Sequence, residues 1–288
     1  GGRGGRGGKV MSNFDARPTL SHRVLVSMYE KGLLAKWFQQ NHDGLPQKAG
    51  MPQHGINEIH GSWFDPSNPV IPMTGNLRSD YFEDLLRWEQ STDLVLVLGT
   101  SVAGMNADRM AQTVSQKAKK KQAIGAVMVN LQQTRIDSDT CLRIYAKLDD
   151  VFELLAKELS LDVKSMSHVH VPDYCGKEVE DDVFMFDGYD GKTGLRAKGK
   201  TCKLDLREGA EVMLTCGPHK GDDGVVVEKR RQGHYRIRFK HAIKKRSKLK
   251  VPFQRTMGTW WCEAAAHGTS CSFENISRVE SALKNNEN

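Results

Sequence analysis

The sequence predicts two folded units: an α/β domain built on a parallel sheet covered by helices, and after it a small all-β barrel. Three observations carry this. Between residues 18 and 161, apolar runs suited to buried strands alternate with segments whose apolar residues recur at helical spacing. LVLVL (Leu94–Leu98) and the run Ala123–Val129 have the unbroken apolar character of strands covered on both faces. From Val183 onward, short alternating strands separated by glycines replace that pattern. The expected class is therefore α/β with a Rossmann-like sheet, followed by a small barrel of the SH3-like kind. A length of 288 residues suits one large and one small unit.

The elements follow in chain order. GGRGGRGGK opens a glycine- and arginine-rich leader over 1–15, expected to be disordered because glycine entropy meets no apolar surface to offset it. Pro18–Leu34 reads as a helix capped by Thr19 or Ser21, with Val24, Leu25, Met28 and Leu33 recurring on it. Ala35–Gln39 is a short buried strand running into the polar loop QNHDG. Asp80–Gln90 is an amphipathic helix carrying Phe82, Leu85, Leu86 and Trp88. After LVLVL come Gly99-Thr100-Ser101, a helix over Asn106–Lys119, the strand ending at Val129, and Asn130-Leu131. A helix over Asp149–Leu161, striped by Val151, Leu154, Leu155 and Leu159, closes a domain expected to span 16–162. A linker over 163–182, the barrel over 183–279 and a frayed tail over 280–288 complete the reading.

Composition narrows the class. Charged residues make up 27% and hydrophobic residues 39%, as in a water-soluble globule, and no apolar run reaches membrane-span length. The six cysteines, at 141, 175, 202, 216, 262 and 271, form no C-x-x-C, so neither a disulfide framework nor a zinc knuckle is indicated. Reduced thiols point to an intracellular setting. His168 and His170 make a possible metal pair without a third ligand nearby, so no metal site is expected. The net charge of +7 is uneven: Lys229 to Lys250 holds eleven Lys or Arg and no acid. Such a block suits nucleic acid, an acidic tail, or simply a solvated face. Lys229, Arg230, Lys244, Lys245 and Arg246 in it, with Lys220 just before it, are the candidate nucleic-acid contacts. Trp260 and Trp261 are expected to pack the barrel.

The residues with most chemistry lie in QNHDGLPQKAGMPQHGINEIH (Gln40–His60). Asn41, Asp43 and His60 give an amide, a carboxylate and an imidazole at the carboxyl ends of strands, where open α/β sheets bind ligands. An imidazole moves protons near neutral pH, and its two companions can hold a sugar.

These residues belong to an ordered set. ARPTLSH (Ala16–His22), QNHDGL (Gln40–Leu45), IHG (Ile59–Gly61), NPVIPMTGN (Asn68–Asn76), LVLGTSV (Leu96–Val102), VMVNLQQT (Val127–Thr134) and LRIYAKLDDVFELLAKEL (Leu142–Leu159) run through the first domain in this order. Together they resemble the core of the sirtuins, the Sir2-like NAD-dependent protein deacylases, in wording nearest the nuclear class with sirtuins six and seven. The resemblance implies NAD as cofactor and an acylated-lysine protein as substrate. It implies His60 as general base and Asn41 as its catalytic partner on the ribose. Gln40, Asn41, Asp43, Gly99, Thr100, Ser101, Asn130 and Leu131 would meet the cofactor. Val70, Ile71, Met73, Gly75 and Asn76 would pair with the substrate peptide as an added strand. A nuclear location is the expectation that goes with this wording.

The chain departs from the family pattern in three places. The glycine-rich G-A-G-x-S turn and the D-F-R-G after it have no counterpart in 1–15, and the chain, opening on glycine, is expected to be a fragment or a processed product. Zinc is expected for the family, but Ser62–Asn68 (SWFDPSN) stand where its four cysteines would lie, so the small subdomain should be loosened or rebuilt. Asn76 replaces the family's acid. The expected activity is NAD-dependent protein-lysine deacylation with release of nicotinamide and O-acyl-ADP-ribose. The alternative is an inactive scaffold that binds nucleic acid or protein tails, and ADP-ribosyl transfer at the same site is a third possibility. In the second unit, Gly209–Val227 (GAEVMLTCGPHKGDDGVVV) resembles the KOW motif of ribosomal and transcription-elongation proteins, a strand, a glycine loop and a second strand.

Overall fold

The computed structural model describes residues 13–72, 75–165, 170, 178–189, 196–214, 222–230, 233–239, 254–258, 260 and 279–281. Met73, Lys220, Lys244, Lys245, Arg246, His168, Trp261 and most of the leader lie outside them.

The α/β part contains two parallel sheets. Strands β1 (Trp37–Phe38) and β2 (Ile56–Asn57) pair in one; β3 (Leu94–Leu98), β4 (Gly125–Val129) and β5 (Leu142–Ile144) form the other, in that order. Helix α1 (Leu20–Glu30) starts at Thr19, whose backbone N–H donates to the His22 Nδ1 at 3.3 Å. Its buried Val24, Leu25 and Met28 pack on Phe152 of helix α5 (Leu148–Glu158). A four-residue helix, α2 (Leu45–Lys48), had no signal in the sequence. Helices α3 (Ser79–Ser91) and α4 (Asp108–Lys119) cover both sheets. One apolar cluster of Ile59, Leu85, Ala107, Met110 and Val114, with Phe38 and Val95 against it, spans the two.

Three expectations fail here for physical reasons. β3 is not buried on both faces: Leu94 is 42% exposed, because β3 is the edge of its sheet among the described residues. On α5 Phe152 is buried, with Leu148 and Leu155 partly buried beside it, while Leu154 and Leu159 face outward. The strand expected within Asn68–Asn76 does not form among the described residues, since Pro69 and Pro72 lack the amide donors a ladder needs.

The all-β part holds two antiparallel sheets. One comprises β6 (Glu178–Glu180), β7 (Val183–Tyr189) and β8 (Arg196–Asp205). The other runs in the order β12 (Gln254–Met257), β11 (Tyr235–Phe239), β10 (Asp223–Lys229), β9 (Glu211–Leu214) and β13 (Val279–Ser281). The first of these sheets therefore starts inside the segment read as linker, and the second reaches into the one read as tail. Burial alternates along β11, with Tyr235, Ile237 and Phe239 inward, as a strand with one covered face requires. These residues pack with Leu204, Leu206, Val212, Leu214, Val226, Met257 and Trp260.

The same core contains Phe64, from the α/β part. Its ring lies 5.0 Å from His234 and 5.2 Å from Trp260, and its carbonyl accepts the Gly258 N–H at 2.8 Å. The loop Ser62–Asn68 is therefore rebuilt rather than loosened. Ser62, Phe64, Asp65, Ser67 and Asn68 are all buried.

Candidate functional site

His60 follows β2 at the turn that reverses the chain. Gly61 has φ +87°, and a Cβ there would stand 2.3 Å from the Pro69 carbonyl oxygen, so only glycine fits. Four bonds hold the turn. Gly61 N–H donates to the Glu58 carbonyl at 2.9 Å, and Asn68 Nδ2 donates to the same oxygen at 2.9 Å. The His42 Nδ1–H donates to the Gly61 carbonyl at 2.8 Å, and Trp63 N–H donates to the His42 carbonyl at 3.0 Å. The loop QNHDGL and the turn His60-Gly61 are thus bonded into one wall.

His60 is 8% exposed, and its Nε2 is buried without a hydrogen-bond partner. Burial first, then the neighbouring His42, hold its pKa below the ordinary imidazole value, while Asp108 pulls the other way. The ring is thus a neutral base at pH 7. An orphaned buried nitrogen costs free energy unless something it can bond arrives, so its presence marks a place for a ligand hydroxyl. Asn41 is exposed beside it. Asp43 is half-buried: its Oδ1 accepts from Leu45 N–H at 3.1 Å and Gln39 Nε2 at 3.3 Å, closing the turn over left-handed Gly44.

The second wall is the carboxyl end of β3 and β4. Gly99 N–H donates to the Val129 carbonyl at 3.1 Å, and Asn130 Nδ2 donates to the Thr100 carbonyl at 2.8 Å, so Gly99-Thr100-Ser101 and Asn130 sit side by side. Ser101 and Leu131 are exposed there. Val102 is buried at φ +50°, a left-handed conformation that a β-branched residue adopts only under constraint. Val70 and Ile71 are half-buried beside His60, whose carbonyl accepts the Ile71 N–H at 3.2 Å, and Gly75 and Asn76 are exposed.

Gln40, Asn41 and His60 thus follow the ends of β1 and β2, the Gly99–Ser101 and Asn130 groups follow the ends of β3 and β4, and the Gln40 Nε2 to Asp108 Oδ1 hydrogen bond joins the two sets. The rebuilt loop contains neither cysteine nor histidine, and among the described residues no group of three or more His, Cys, Asp or Glu that could hold a metal ion occurs. No described helix is long and apolar enough to cross a membrane. The two described basic candidates are already engaged. Lys229 Nζ donates to Asp182 Oδ1. The Arg230 Nε stands 3.7 Å from the Glu228 carboxylate and its guanidinium lies over the Phe14 ring.

Sequence reasoning missed two site residues. Asp108 accepts the Gln40 Nε2 hydrogen bond at 3.0 Å, and nothing in the motif order singled it out. Glu58, two residues before His60, is wholly buried with its carbonyl in the turn; its neighbour in the motif hid it.

No family model matches the chain. Among curated proteins it is similar to the NAD-dependent protein deacetylase sirtuin-7 of Homo sapiens, at 25% identity over 210 residues, 58% of this chain and 52% of that one. It is similar to sirtuin-7 of Mus musculus at 26% over 191 residues, 52% of this chain and 47% of the relative. It is similar to the deacetylase SRT1 of Oryza sativa subsp. indica at 28% over 210 residues, 60% and 41%. The chain spans about half the length of the curated relatives it matches. A solved Sir2 chain bound to acetylated peptide aligns with a TM-score of 0.45 at 20% identity, over 52% of this chain and 74% of that one. Over about half of its length, then, the chain is similar to the Sir2, or sirtuin, proteins.

Proposed function

We propose that the chain carries the catalytic wall of an NAD-dependent protein-lysine deacylase, releasing nicotinamide and O-acyl-ADP-ribose. The observation that carries this is His60: a buried imidazole, held neutral, with an unpartnered Nε2 between two strand-end walls. NAD, when bound, supplies a ribose carbon from which nicotinamide can leave. His60 Nε2 takes the proton of a ribose hydroxyl, Asn41 holds that ribose, and Gln40 and Asp43 line the nicotinamide side. Gly99, Thr100, Ser101, Asn130 and Leu131 face the rest of the cofactor. Val70, Ile71, Met73, Gly75 and Asn76 flank the acylated peptide. Ser62–Asn68 lack the cysteines that hold the family's zinc.

The test is nicotinamide release from NAD in the presence of an acyl-lysine peptide, by the full gene product. Release that requires both reagents and is lost in His60→Ala supports the reading. No release, with NAD and peptide both shown to bind, leaves the inactive scaffold as the function. The acid limb of kcat/KM should lie below 6.5, because the base is lowered in the folded chain.

The all-β part, read as a KOW-like, SH3-like barrel, would bring this enzyme to nucleic acid or an acidic partner in the nucleus. The basic run Lys229–Lys250 supports this. Neutralising Lys244, Lys245 and Arg246 should weaken retention on RNA or DNA and reduce its salt dependence. Retention that is unchanged and indifferent to salt would count against it.

A further inference from the structure

The two parallel sheets share no ladder among the described residues, so something else must fix the separation of the two walls. Besides apolar packing, a polar link crosses between them at the site. Asp108 opens α4 and is 3% exposed. Its Oδ2 accepts the backbone N–H groups of Gly104 and Met105, each at 2.8 Å. Its Oδ1 accepts Gln40 Nε2 at 3.0 Å. One carboxylate thus anchors the loop after Gly99-Thr100-Ser101 with one oxygen, and the strand-end residue next to Asn41 with the other. A carboxylate suits this task because it accepts from several donors at once without needing a donor in return.

We propose that Asp108 is a positioning residue of the His60 pocket, setting the spacing of its two walls by bonding to both. Its part in turnover rests on the deacylase reading; its part in the geometry and charge of the pocket does not. Burial disfavours the His60 imidazolium most, His42 disfavours it further, and Asp108 favours it. Removing the Asp108 charge leaves burial and His42 unopposed, so the His60 titration moves further down. A residue that only capped α4 would leave it in place.

The experiment is NMR titration of the His60 ring nitrogens in the full chain, wild type against Asp108→Asn. It needs neither NAD nor turnover, so its failure is separate from failure of the deacylase reading. The expected result is a lower His60 midpoint with faster exchange of the Gly104 or Met105 amide. A midpoint that stays or rises in a folded variant overturns the charge role. If Asp108→Asn does not fold, Gln40→Met removes the bridging donor and leaves the cap on α4 intact. Faster amide exchange through Asn41 and His42 is then expected, and unchanged exchange overturns the bridge.

Discussion

Phe64→Ala is expected to lower stability by about 3–5 kcal/mol, the range for truncating a buried phenylalanine. The ring is fully buried and stands where the two parts of the chain meet. Phe14 lies 5.5 Å away edge-on, and Lys48 Nζ stands 4.6 Å over the ring while donating to the carbonyls of Phe14 at 2.7 Å and Ala16 at 3.1 Å. Burial lowers the Lys48 pKa to about 8, so its ammonium is held at neutral pH by those carbonyls, by the ring and by the charges of Asp43 and Asp15. Alanine would leave a cavity and strip Lys48 of its aromatic face. Gly44 shares the contact: a Cβ on it would come within 3.0 Å of both Phe64 and Trp260. Loss of Phe64 should therefore loosen QNHDGL as well as the all-β core. Chemical denaturation should show an earlier midpoint, with the His42 and Trp260 signals changing together. A loss under about 1 kcal/mol, or a change confined to the all-β core, would show that the parts fold independently.

Glu58→Gln is expected to stabilise the chain above neutral pH and to change it little near pH 5. Burial raises the Glu58 pKa from 4.5 to about 7, and the Asp65 carboxylate adds to the rise against donors from Gln47, Ser62 and Gln53. The folded chain therefore holds this proton more tightly than the unfolded chain. The stability that comes from it is complete below about 4.5 and is lost as pH rises through about 7. The rise corresponds to about 3 kcal/mol. Glutamine mimics the protonated form, and the unpartnered Gln47 Oε1 is an acceptor available to its amide. His234 works in the opposite sense. Burial first, then Lys48 and Arg230, lower its pKa to about 3, so its contribution is present above 6.5 and lost as pH falls toward 3. The difference in unfolding temperature between Glu58→Gln and wild type across pH 5–8 cancels that second effect. Parallel curves would sink the assignment of a buried, proton-holding Glu58.

Much of this was legible from residue order. Val24, Leu25 and Met28 at helical spacing predict α1, and unbroken apolar runs predict β3 and β4, because local periodicity reports which face a segment hides. Motif wording singled out Gln40, Asn41, His60 and Asn130 as candidates. Asp108 stayed hidden because its partners, Gln40 and the amides of Gly104 and Met105, are joined only when two separate sheets come together. Leu154 misled because a helix of this composition has apolar residues on two sides, and only packing on α1 chose the Phe152 side. SWFDPSN carries no period at all, so nothing in it announced that Phe64 would fill the core of strands 140 to 196 residues further along.

Sequence alone carried the likeness to sirtuins, the alternation of strands and helices, and the chemical types at the strand ends. These follow from short-range spacing and side-chain identity, which every chain carries whether folded or not. Tertiary structure alone decided the protonation states and partners: a neutral His60 with a free nitrogen, a protonatable Glu58, a Lys48 enclosed by carbonyls and an aromatic ring. Such properties arise from desolvation and from contacts between distant segments, and neither exists until the chain has closed around them.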